Sequence, residues 1–589
     1  MGLFLRKNER FKNGKDHVYW NIVESKRTSA GKVFQRQVCY LGELSEAQRV
    51  AWQGVIDQVD PVAPQTAELP LGGPASPPSK PARVPQVNFS QFSLHQPRQW
   101  GACWIADRLW HDLQCSEFWG PLLPTGREGT HWLHILQTLV TYRLIDPGSE
   151  WRLHREWFDQ SAMADILGED SSLAAKDNLY RCLDKLLAHK DALFNHLQAR
   201  WKDLFGARFE IVLYDLTSTY FEIDPPQDEN DKRQFGYSRD KRSDCVQVVI
   251  ALVITPDGFP LAYEVLPGNT SDKSTLKHFL KKLRKRYGKE QRTWIMDRGI
   301  PTEETLAIMR KKRHQISYLV GTPKGKLTRL ESKLTDLPWK AARPTVSVKL
   351  LGDEQDTYVY VESKNRVLKE RSMRRRKLKV LWARLKELSG MKLKRDDLML
   401  RLGQAREKAG RVYQLVEVKV PEKLEEGWSY GLRKDQLKKV RRREGRYLLR
   451  TNMEGKNPEE LWAMYLGLVE IEEAFRDLKQ DLSVRPVWHW KESRVEAHIF
   501  VAFMAYCLHV CLKGHLKKVA GGLTPRTMLT KFATIQLVDV HLPLDAGGTL
   551  IMTRRTQPDT DQRLLLARLG WNLPEQGPPR IGADGRLEK

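Results

Sequence analysis

Residues 209–215 read FEIVLYD, a short apolar run that ends at an acidic residue and predicts a buried β-strand. Two further apolar runs follow, VQVVIALVIT at 246–255 and FPLAYEVLPG at 259–268. Asp257 and Gly258 lie between them, and this dipeptide is typical of a tight hairpin turn. The three runs therefore predict three strands, of which the last two form a hairpin.

The pattern then alternates between helix and strand. Residues 273–287 predict an amphipathic helix with a Lys/Arg-rich outer face, and TWIMD at 293–297 predicts the next strand. Thr302 opens a second predicted helix, in which Glu303 and Glu304 suit the positive N-terminal end, and ISYLVGTP at 316–323 predicts a last strand. The order β, β, β, α, β, α, β indicates an α/β domain.

The charge balance indicates the kind of partner. The chain of 589 residues has 98 Lys and Arg against 73 Asp and Glu, a formal net charge of +25. A foldable chain with so large a positive surplus points to a polyanion, and nucleic acid is the first candidate. A basic enzyme that acts on other substrates stays open at this point. The apolar fraction of 41% excludes a disordered chain.

Hydropathy and cysteines bear on location. The mean hydropathy is −0.53 and the longest apolar run, 497–508, is too short to span a bilayer, so we expect no membrane protein. The first residues show no apolar segment typical of a secretory signal. The seven cysteines show no Cys-x2-Cys spacing, which speaks against a disulfide framework and a Cys-type zinc site. We therefore expect a cytoplasmic protein.

Composition also divides the chain into predicted regions. Eight of the 30 prolines lie between residues 61 and 85, which predicts a stiff linker between two parts that move independently. The predicted regions are a small β-rich module (1–60), the linker (61–94), a helical DNA-end-binding domain (95–205), the first part of the core (206–321), a β-rich basic insertion (322–452), the second part of the core (453–515) and a helical or loose C-terminal region (516–589).

The insertion holds two runs of basic residues. Residues 364–411 contain 18 Lys and Arg against five Asp and Glu, and a second cluster lies at 438–443. A charge run is often only a solvated face. Two such runs within one insertion favour contacts with phosphates.

Three acidic residues are the candidates for chemistry. Asp215 and Asp297 each end a predicted strand, where open α/β sheets usually keep their active sites. Glu472 lies on a long helix predicted to begin at Asn457. A helix that packs against the edge of the sheet could bring Glu472 to the two aspartates.

Clustered carboxylates repel one another unless a cation compensates, and hard oxygen ligands suit Mg²⁺ or Mn²⁺. Other interpretations stay open. Asp215 could cap a turn, Asp297 could form a local ion pair, and Glu472 could be one of several solvated acids beside Glu470 and Glu473.

The motifs around the acids resemble a known family. YDLTSTYFE around Asp215, the segment 235–272 and IMDRGIPTEETL around Asp297 resemble the catalytic core of the IS-four superfamily of insertion-sequence DDE transposases. That family has the signature Tyr-x2-Arg-x3-Glu-x6-Lys. Here it reads Tyr465, Leu468, Glu472 and Lys479, so leucine replaces the arginine. The opening module resembles the IS-sixteen-thirty-four branch.

The resemblance implies an RNase H-like fold, two Mg²⁺ ions that Mn²⁺ can replace, and cut-and-paste transposition at terminal inverted repeats of double-stranded DNA. It implies a homodimer in the synaptic complex and makes Asp215, Asp297 and Glu472 catalytic metal ligands. Five further residues are candidate DNA contacts: Tyr465 and Lys479 from the signature, and in addition Arg476, Arg485 and Arg298.

Several alternatives remain at this stage. Tyr465 could be a core residue, and Arg476 could pair with Glu472 or Glu473 rather than DNA. Any one of Trp339, Trp382 and Trp428 could stack on a flipped base, although core packing suits each of them as well. Two other functions compete with transposition: an RNase H-like nuclease without strand transfer, and an inactive DNA-binding repressor.

Overall fold

The computed structural model describes residues 3–582 with the exception of several internal ranges. The predicted linker up to residue 88, most of the predicted helix over 273–287, and Arg485 lie outside the described residues. The ranges left out are 13–14, 28–32, 60–88, 241, 272–275, 277–278, 281–291, 312–315, 323–329, 331–336, 353–354, 423–426, 485–488, 545–547 and 577–579.

The described α-helices follow one another along the chain. They are α1 (Glu46–Val59), α2 (Gly101–Asp112), α3 (Cys115–Trp119), α4 (Trp132–Ile145), α5 (Glu150–Arg152), α6 (Phe158–Gln160), α7 (Met163–Leu167), α8 (Lys176–Leu186), α9 (Lys190–Phe205), α10 (Glu303–Arg310), α11 (Lys364–Ser389), α12 (Arg395–Ala409), α13 (Lys434–Arg443), α14 (Pro458–Leu466), α15 (Leu468–Arg476), α16 (Glu492–Val519), α17 (Pro525–Phe532) and α18 (Thr560–Leu569).

The described strands are distributed over the whole chain. They are β1 (Leu3–Lys12), β2 (Lys15–Arg27), β3 (Val33–Gly42), β4 (Ser93–Gln99), β5 (Ile211–Phe221), β6 (Val246–Ile254), β7 (Pro260–Pro267), β8 (Thr293–Met296), β9 (Ser317–Gly321), β10 (Lys340–Arg343), β11 (Val346–Gly352), β12 (Thr357–Ser363), β13 (Val416–Lys419), β14 (Ser429–Leu432), β15 (Arg446–Thr451), β16 (Gln536–Pro543), β17 (Thr549–Arg555) and β18 (Arg580–Gly582).

The chain forms two compact units, each built from segments that are distant in sequence. The first unit contains residues 1–209, 214–271 and 469–589, and the second contains 210–213 and 272–468. The boundary therefore falls within β5, so this strand contributes its first residues to the second unit and the rest to the first.

Helix α16 forms the core of the first unit. It packs against α2, α4, α8, α17 and α18, and nearly all its residues from Val495 to Leu512 are buried. The helix is long and apolar enough to cross a membrane, but 94% of its most apolar 18-residue stretch is buried inside the protein. Burial on all sides explains why this helix is apolar all around.

The N-terminal module, in its described residues between 3 and 59, contacts the C-terminal end of this core helix. The strands β1, β2 and β3 form an antiparallel sheet, and the buried Trp52 of α1 donates a hydrogen bond from its indole to the Val519 carbonyl at 2.7 Å. The backbones of Gly42 and Gly522 are so close that a Cβ atom on Gly42 would lie 2.6 Å from Gly522 Cα. The segment is thus anchored to the first unit, in contrast to the independent motion predicted from the proline-rich linker.

The C-terminal region contains strands that composition did not predict. β16 pairs with β4 on one side and with β17 on the other, and β18 completes this four-stranded sheet. Arg98 on β4 forms an ion pair with the buried Asp539 on β16 at 2.9 Å. The described residues between 516 and 582 are therefore an integral part of the first unit.

A buried polar group lies where α16 meets the helical N-terminal half of this unit. The imidazole of His498 lies 3.0 Å from the Glu150 carboxylate, and His489 lies 3.3 Å from the same carboxylate. Arg143 approaches Glu150 to 3.8 Å. Burial lowers the pKa of His498 to about 4, and the positive charge of Arg143 acts in the same direction.

We expect this group to make the protein less stable in weak acid. At pH 5 the histidine is protonated in the unfolded chain but not in the folded one, so protons favour unfolding between pH 6.5 and about 4. Between pH 7 and pH 5, the titration of His498 lowers the free energy of unfolding by about 2 kcal/mol. When the free energy of unfolding is measured in urea at pH 7 and pH 5, it should change less in His498→Gln than in the wild type. Equal pH dependence in the two proteins would contradict this assignment.

The second unit combines a sheet with two long basic helices. In its sheet the strand order is β10-β11-β12-β15-β9-β8, with β8 and β9 parallel and the other pairs antiparallel. Helices α11 and α12 share a small core of leucines with the β13–β14 hairpin. The predicted basic stretch over 364–411 corresponds to these helices, so the insertion is as helical as it is β-rich.

Candidate active site

Asp215 lies within a strand rather than at its end. It is the fifth of eleven residues of β5, because the following residues, LTSTYF, continue the strand with β-branched and aromatic side chains. The prediction that Asp215 ends the strand is therefore wrong. Asp215 is partly exposed, whereas residues 212–214 and 216–219 are buried. Asp215 is thus a partly exposed acidic residue between two buried stretches of the strand.

Asp297 directly follows β8, as predicted. Trp294, Ile295 and Met296 of this strand are buried, and Asp297 is the first exposed residue after them. The Tyr465 hydroxyl donates a hydrogen bond to Asp297 Oδ1 at 3.1 Å. One carboxylate oxygen of the second aspartate is therefore held by a side chain from α14.

Tyr465 can act only as a donor in this contact. Burial raises the pKa of its phenol above the ordinary value, and the charge of Asp297 raises it further. The phenol stays protonated at neutral pH, and its ring packs beside that of Tyr447 with 6.5 Å between centroids. The half-buried ring fixes the hydroxyl, which in turn orients Asp297.

Gly321, the last residue of β9, makes this contact possible. A Cβ atom at this position would lie 2.6 Å from the Tyr465 hydroxyl and 3.1 Å from Arg298 Cβ. Any other residue would push the hydroxyl away from Asp297. Sequence reasoning missed Gly321; its only signal was a glycine at the end of an apolar strand, which often marks a close approach.

A polar cavity of about 210 Å³ opens beside Asp297 within the second unit. It is lined by Arg298, Arg366, Tyr447 and Tyr465 as well as Asp297. The Arg366 guanidinium stacks over the Tyr447 ring at 4.7 Å, and its Nε atom donates to Glu370. Two arginines therefore line a cavity large enough for a phosphate group, next to a carboxylate. Arg366 was not among the predicted DNA contacts.

Glu472 differs from its acidic neighbours on α15. Lys513 pairs with both Glu470 and Glu473, at 3.3 and 3.2 Å. Arg476 also pairs with Glu473, at 3.1 Å, which is the salt bridge considered as its alternative role. Within the described residues no basic group lies at ion-pair distance from Glu472, which is exposed. Its carboxylate is thus the available one in this acidic segment.

The predicted single helix from Asn457 is interrupted. Asn457 caps α14 through its side chain as expected, but α14 ends at Leu466 and α15 begins at Leu468. Gly467 separates them, because a glycine costs about 1 kcal/mol in a helix interior. Tyr465 and Glu472 therefore lie on different helices, and the prediction of one long helix that carries both is wrong.

Lys479 lies in a π-helical turn, Asp477–Asp481, that follows α15. Its ammonium group pairs with Asp240 at 3.1 Å, and the side chain is only 12% exposed. Its contact with DNA stays a prediction. Asp215, Glu472 and Lys479 belong to the first unit, and Asp297, Arg298 and Tyr465 belong to the second.

Compact groups of metal-ligating side chains occur elsewhere. In the part of the chain that the structure describes, four sets of three donors lie within 4.8 Å of one another, and none contains Asp215, Asp297 or Glu472. Those three residues offer only carboxylate oxygens, a donor set that fits Mg²⁺ or Mn²⁺.

The candidate stacking tryptophans have defined surroundings. Trp339 stacks on Tyr360 and has Lys349 over its ring. Trp382 lines an open apolar groove with Leu378 and Leu432, and it is 38% exposed. Trp428 packs beside Tyr430 in the α11–α12 core. Trp382 and Trp339 are almost equally exposed, at 38% and 37%, and only Trp382 lines the apolar groove.

Comparison with known proteins gives the family. Residues 208–508 match the family model described as transposase DDE domain, and residues 5–65 match the IS1634 family transposase N-terminal domain. No curated protein gives a significant match. A cryo-EM structure of a piggyBac transposase synaptic complex with hairpin DNA aligns at a TM-score of 0.34 with 9% identity, covering 68% of this chain and 70% of that chain. That likeness is too low to support a conclusion.

The DDE match covers half of the chain and contains all three predicted acids. Together with the alternating strands and helices from β5 to β9, it confirms the predicted RNase H-like α/β core. The match to the N-terminal module confirms the predicted branch. The chain belongs to the DDE transposases of the IS1634 branch: it is an insertion-sequence transposase, an enzyme that cuts DNA and transfers DNA strands.

Proposed function

We propose that this transposase cuts DNA at the terminal inverted repeats of its own element and joins the freed ends to target DNA. Asp215, Asp297 and Glu472 serve as its catalytic carboxylates in this proposal. The observation that supports it most is the setting of Asp297, whose carboxylate is oriented by Tyr465 at the edge of a cavity that also presents Arg298.

DDE transposases generally use divalent metal ions, and the three carboxylates fit them. When bound, two such ions activate the attacking oxygen and stabilise the leaving oxygen of a phosphodiester. We assign Mg²⁺ to the site because its ligands are all hard oxygens, with Mn²⁺ as a substitute. The chain itself contributes the orientation of Asp297 by Tyr465 and the positive charges of Arg298 and Arg366 beside it.

The reaction consists of two substitutions at phosphorus. In the first, water replaces the 3′ oxygen of the transferred strand, which leaves a free 3′-OH and a 5′ phosphate. In the second, this 3′-OH replaces a 3′ oxygen in the target strand, so one phosphodiester forms as another breaks. Guanidinium groups next to the scissile phosphate stabilise the charge that develops on its oxygens.

Two ends must be held together for the element to move as a unit. We therefore propose a homodimer in the synaptic complex, with residues 95–205 and 1–60 contacting the element's ends. A DNA substrate of this kind places the enzyme on the nucleoid in the cytoplasm.

The decisive experiment uses the purified chain and DNA that carries the flanks of its reading frame, with Mg²⁺. We expect nicked or excised ends and, with a target plasmid, joined products on a sequencing gel. Cleavage without joined products would favour the RNase H-like nuclease. Binding without cleavage in any divalent metal would favour the repressor.

The basic helix α13 gives a separate prediction about DNA affinity. Lys438 and Arg442 are exposed on α13. The double variant Lys438→Ser/Arg442→Ser should bind DNA more weakly, and the slope of log K against log salt should fall by roughly two, since each lost phosphate contact removes about one. Titration of labelled DNA at several salt concentrations measures this slope.

The matched control is Lys517→Ser/Arg563→Ser, which removes the same charge from exposed positions of the C-terminal region. We expect its salt slope to equal that of the wild type. Equal losses in the two double variants would show that net charge alone, rather than α13, governs binding.

A further inference from the structure

An unexplained group of donor atoms lies in the first unit, away from the acids described above. Asp112 is the last residue of α2, and Cys511 and His515 lie one turn apart on the core helix α16. One ligand atom from each residue, an oxygen, a sulfur and a nitrogen, lies within 4.8 Å of the other two. Two segments separated by about 400 residues therefore bring three different metal-ligating side chains together.

The contact between Asp112 and His515 is not satisfied as it stands. Asp112 Oδ2 and His515 Nε2 are 3.1 Å apart, which is ion-pair distance, yet among the described residues neither atom has a partner in hydrogen-bond geometry, and both atoms are inaccessible to water. A buried polar atom without a partner is costly, so such atoms usually face a group that binds them. A tetrahedral zinc ion at about 2.0 to 2.1 Å from both atoms would hold them roughly 3.3 Å apart.

The surroundings of the group are largely apolar, and the side chains of His515 and Asp112 are only 20% and 21% exposed. Cys511 is fully buried, and the edges of Phe205 and Trp571 pack against the His515 ring. The backbone carbonyl of Asp112 accepts a hydrogen bond from Arg200, which fixes the end of α2. Apolar walls of this kind exclude water and strengthen the interaction between a cation and its ligands.

The types of the three ligand residues indicate which metal ion the group would bind. A thiolate, an imidazole and a carboxylate together suit a borderline-soft ion that prefers tetrahedral geometry, and Zn²⁺ meets both conditions. Cys511 and His515 form the pair Cys511-x3-His515, a short spacing of the kind found within zinc sites. Mg²⁺, the ion proposed for catalysis, has no preference for sulfur or nitrogen.

We propose that Asp112, Cys511 and His515 bind a structural zinc ion that joins α2 to the core helix. The site is independent of the proposed catalytic carboxylates. Because such a site cannot exist in the unfolded chain, the binding free energy adds to the stability of the first unit.

The test uses the purified full chain loaded with Co²⁺ and dialysed. Thiolate ligation gives cobalt a sulfur-to-metal charge-transfer band that carboxylates cannot produce, so ions at the catalytic acids do not contribute. We expect this band in the wild type and its loss in Cys511→Ser. The matched control is Cys507→Ser, which removes a buried cysteine one turn earlier on the same helix and outside the group. It should keep the band.

His515→Gln provides a second variant that keeps all cysteines. Loss of an outer-shell partner alone commonly weakens metal binding 10- to 100-fold, so loss of this ligand should weaken Co²⁺ binding at least about tenfold. Circular dichroism identifies any variant that has failed to fold. A folded wild type without the band, or a band that survives in Cys511→Ser, would overturn the proposal.

Discussion

Replacement of Asp297 by asparagine, or of Glu472 by glutamine, should reduce DNA cleavage by at least about a thousandfold, because loss of several kcal/mol of transition-state stabilisation has this effect. Both substitutions keep the shape of the side chain and remove its charge, so the fold should persist. DNA binding should remain, since the exposed basic helix α13 is untouched. Cleavage and binding are measured on the same element-end DNA with Mg²⁺.

The neighbouring acid provides the control. Glu470 lies on the same helix as Glu472 but pairs with Lys513, so Glu470→Gln should cleave at close to the wild-type rate. Asp215→Asn should behave like Asp297→Asn. Full activity of a triple variant of Asp215, Asp297 and Glu472 would refute the proposed site.

Gly321→Ala should reduce cleavage by roughly a hundredfold, the effect of a displacement of about 1 Å at a catalytic group. The added methyl group would lie 2.6 Å from the Tyr465 hydroxyl and force it away from Asp297. Tyr465→Phe removes the same hydrogen bond without a clash. We expect Tyr465→Phe to raise the activation free energy of cleavage by about 1.5 to 3 kcal/mol, the usual contribution of a hydrogen bond to a charged group.

The two substitutions should not be additive. In the Tyr465→Phe protein the atom that clashes with the new methyl group is absent, so Gly321→Ala should then cost much less than in the wild type. The single and double variants are compared by cleavage rate over a range of Mg²⁺ concentrations. If Tyr465 orients Asp297, the variants need more Mg²⁺ for half-maximal rate.

A second glycine on the same sheet shows whether the effect is local. Gly352 ends β11, and apart from its two neighbours in the chain no atom of the described residues lies within 4 Å of the point that an added methyl group would occupy, so Gly352→Ala should leave cleavage unchanged. If the factors by which Gly321→Ala and Tyr465→Phe reduce the cleavage rate simply multiply in the double variant, the effect of the glycine does not depend on the Tyr465 hydroxyl.

The alternating part of the fold could be predicted because its signals are local. The hairpin at Asp257-Gly258 and the strand before Asp297 depend on neighbouring residues, and both occur as expected. The C-terminal end of β5 was harder to predict. The polar residues of LTSTYF are typical of a turn, but in the structure most of this segment is buried and continues the strand. The break between α14 and α15 could be suspected only from Gly467, which many helices tolerate.

The features that sequence reasoning missed depend on contacts between distant segments. Gly321 and Arg366 acquire their roles only because β9 and α11 meet Tyr465 and Tyr447 in the folded unit. The group of Asp112, Cys511 and His515 escaped a search for Cys-x2-Cys because its members are far apart in the chain. Lys479 looked like a surface residue from the signature, but it pairs with Asp240 in a mostly buried position.

The anchoring of Trp52 to the Val519 carbonyl has a consequence for synthesis on the ribosome. The two partners are 467 residues apart, so residues 1–59 emerge long before the surface on which they pack. During translation the indole of Trp52 and the backbone at Gly42 stay exposed to solvent until the C-terminal end of α16 has left the ribosomal exit tunnel. A nascent chain released before that point would display this unpaired surface to chaperones and proteases.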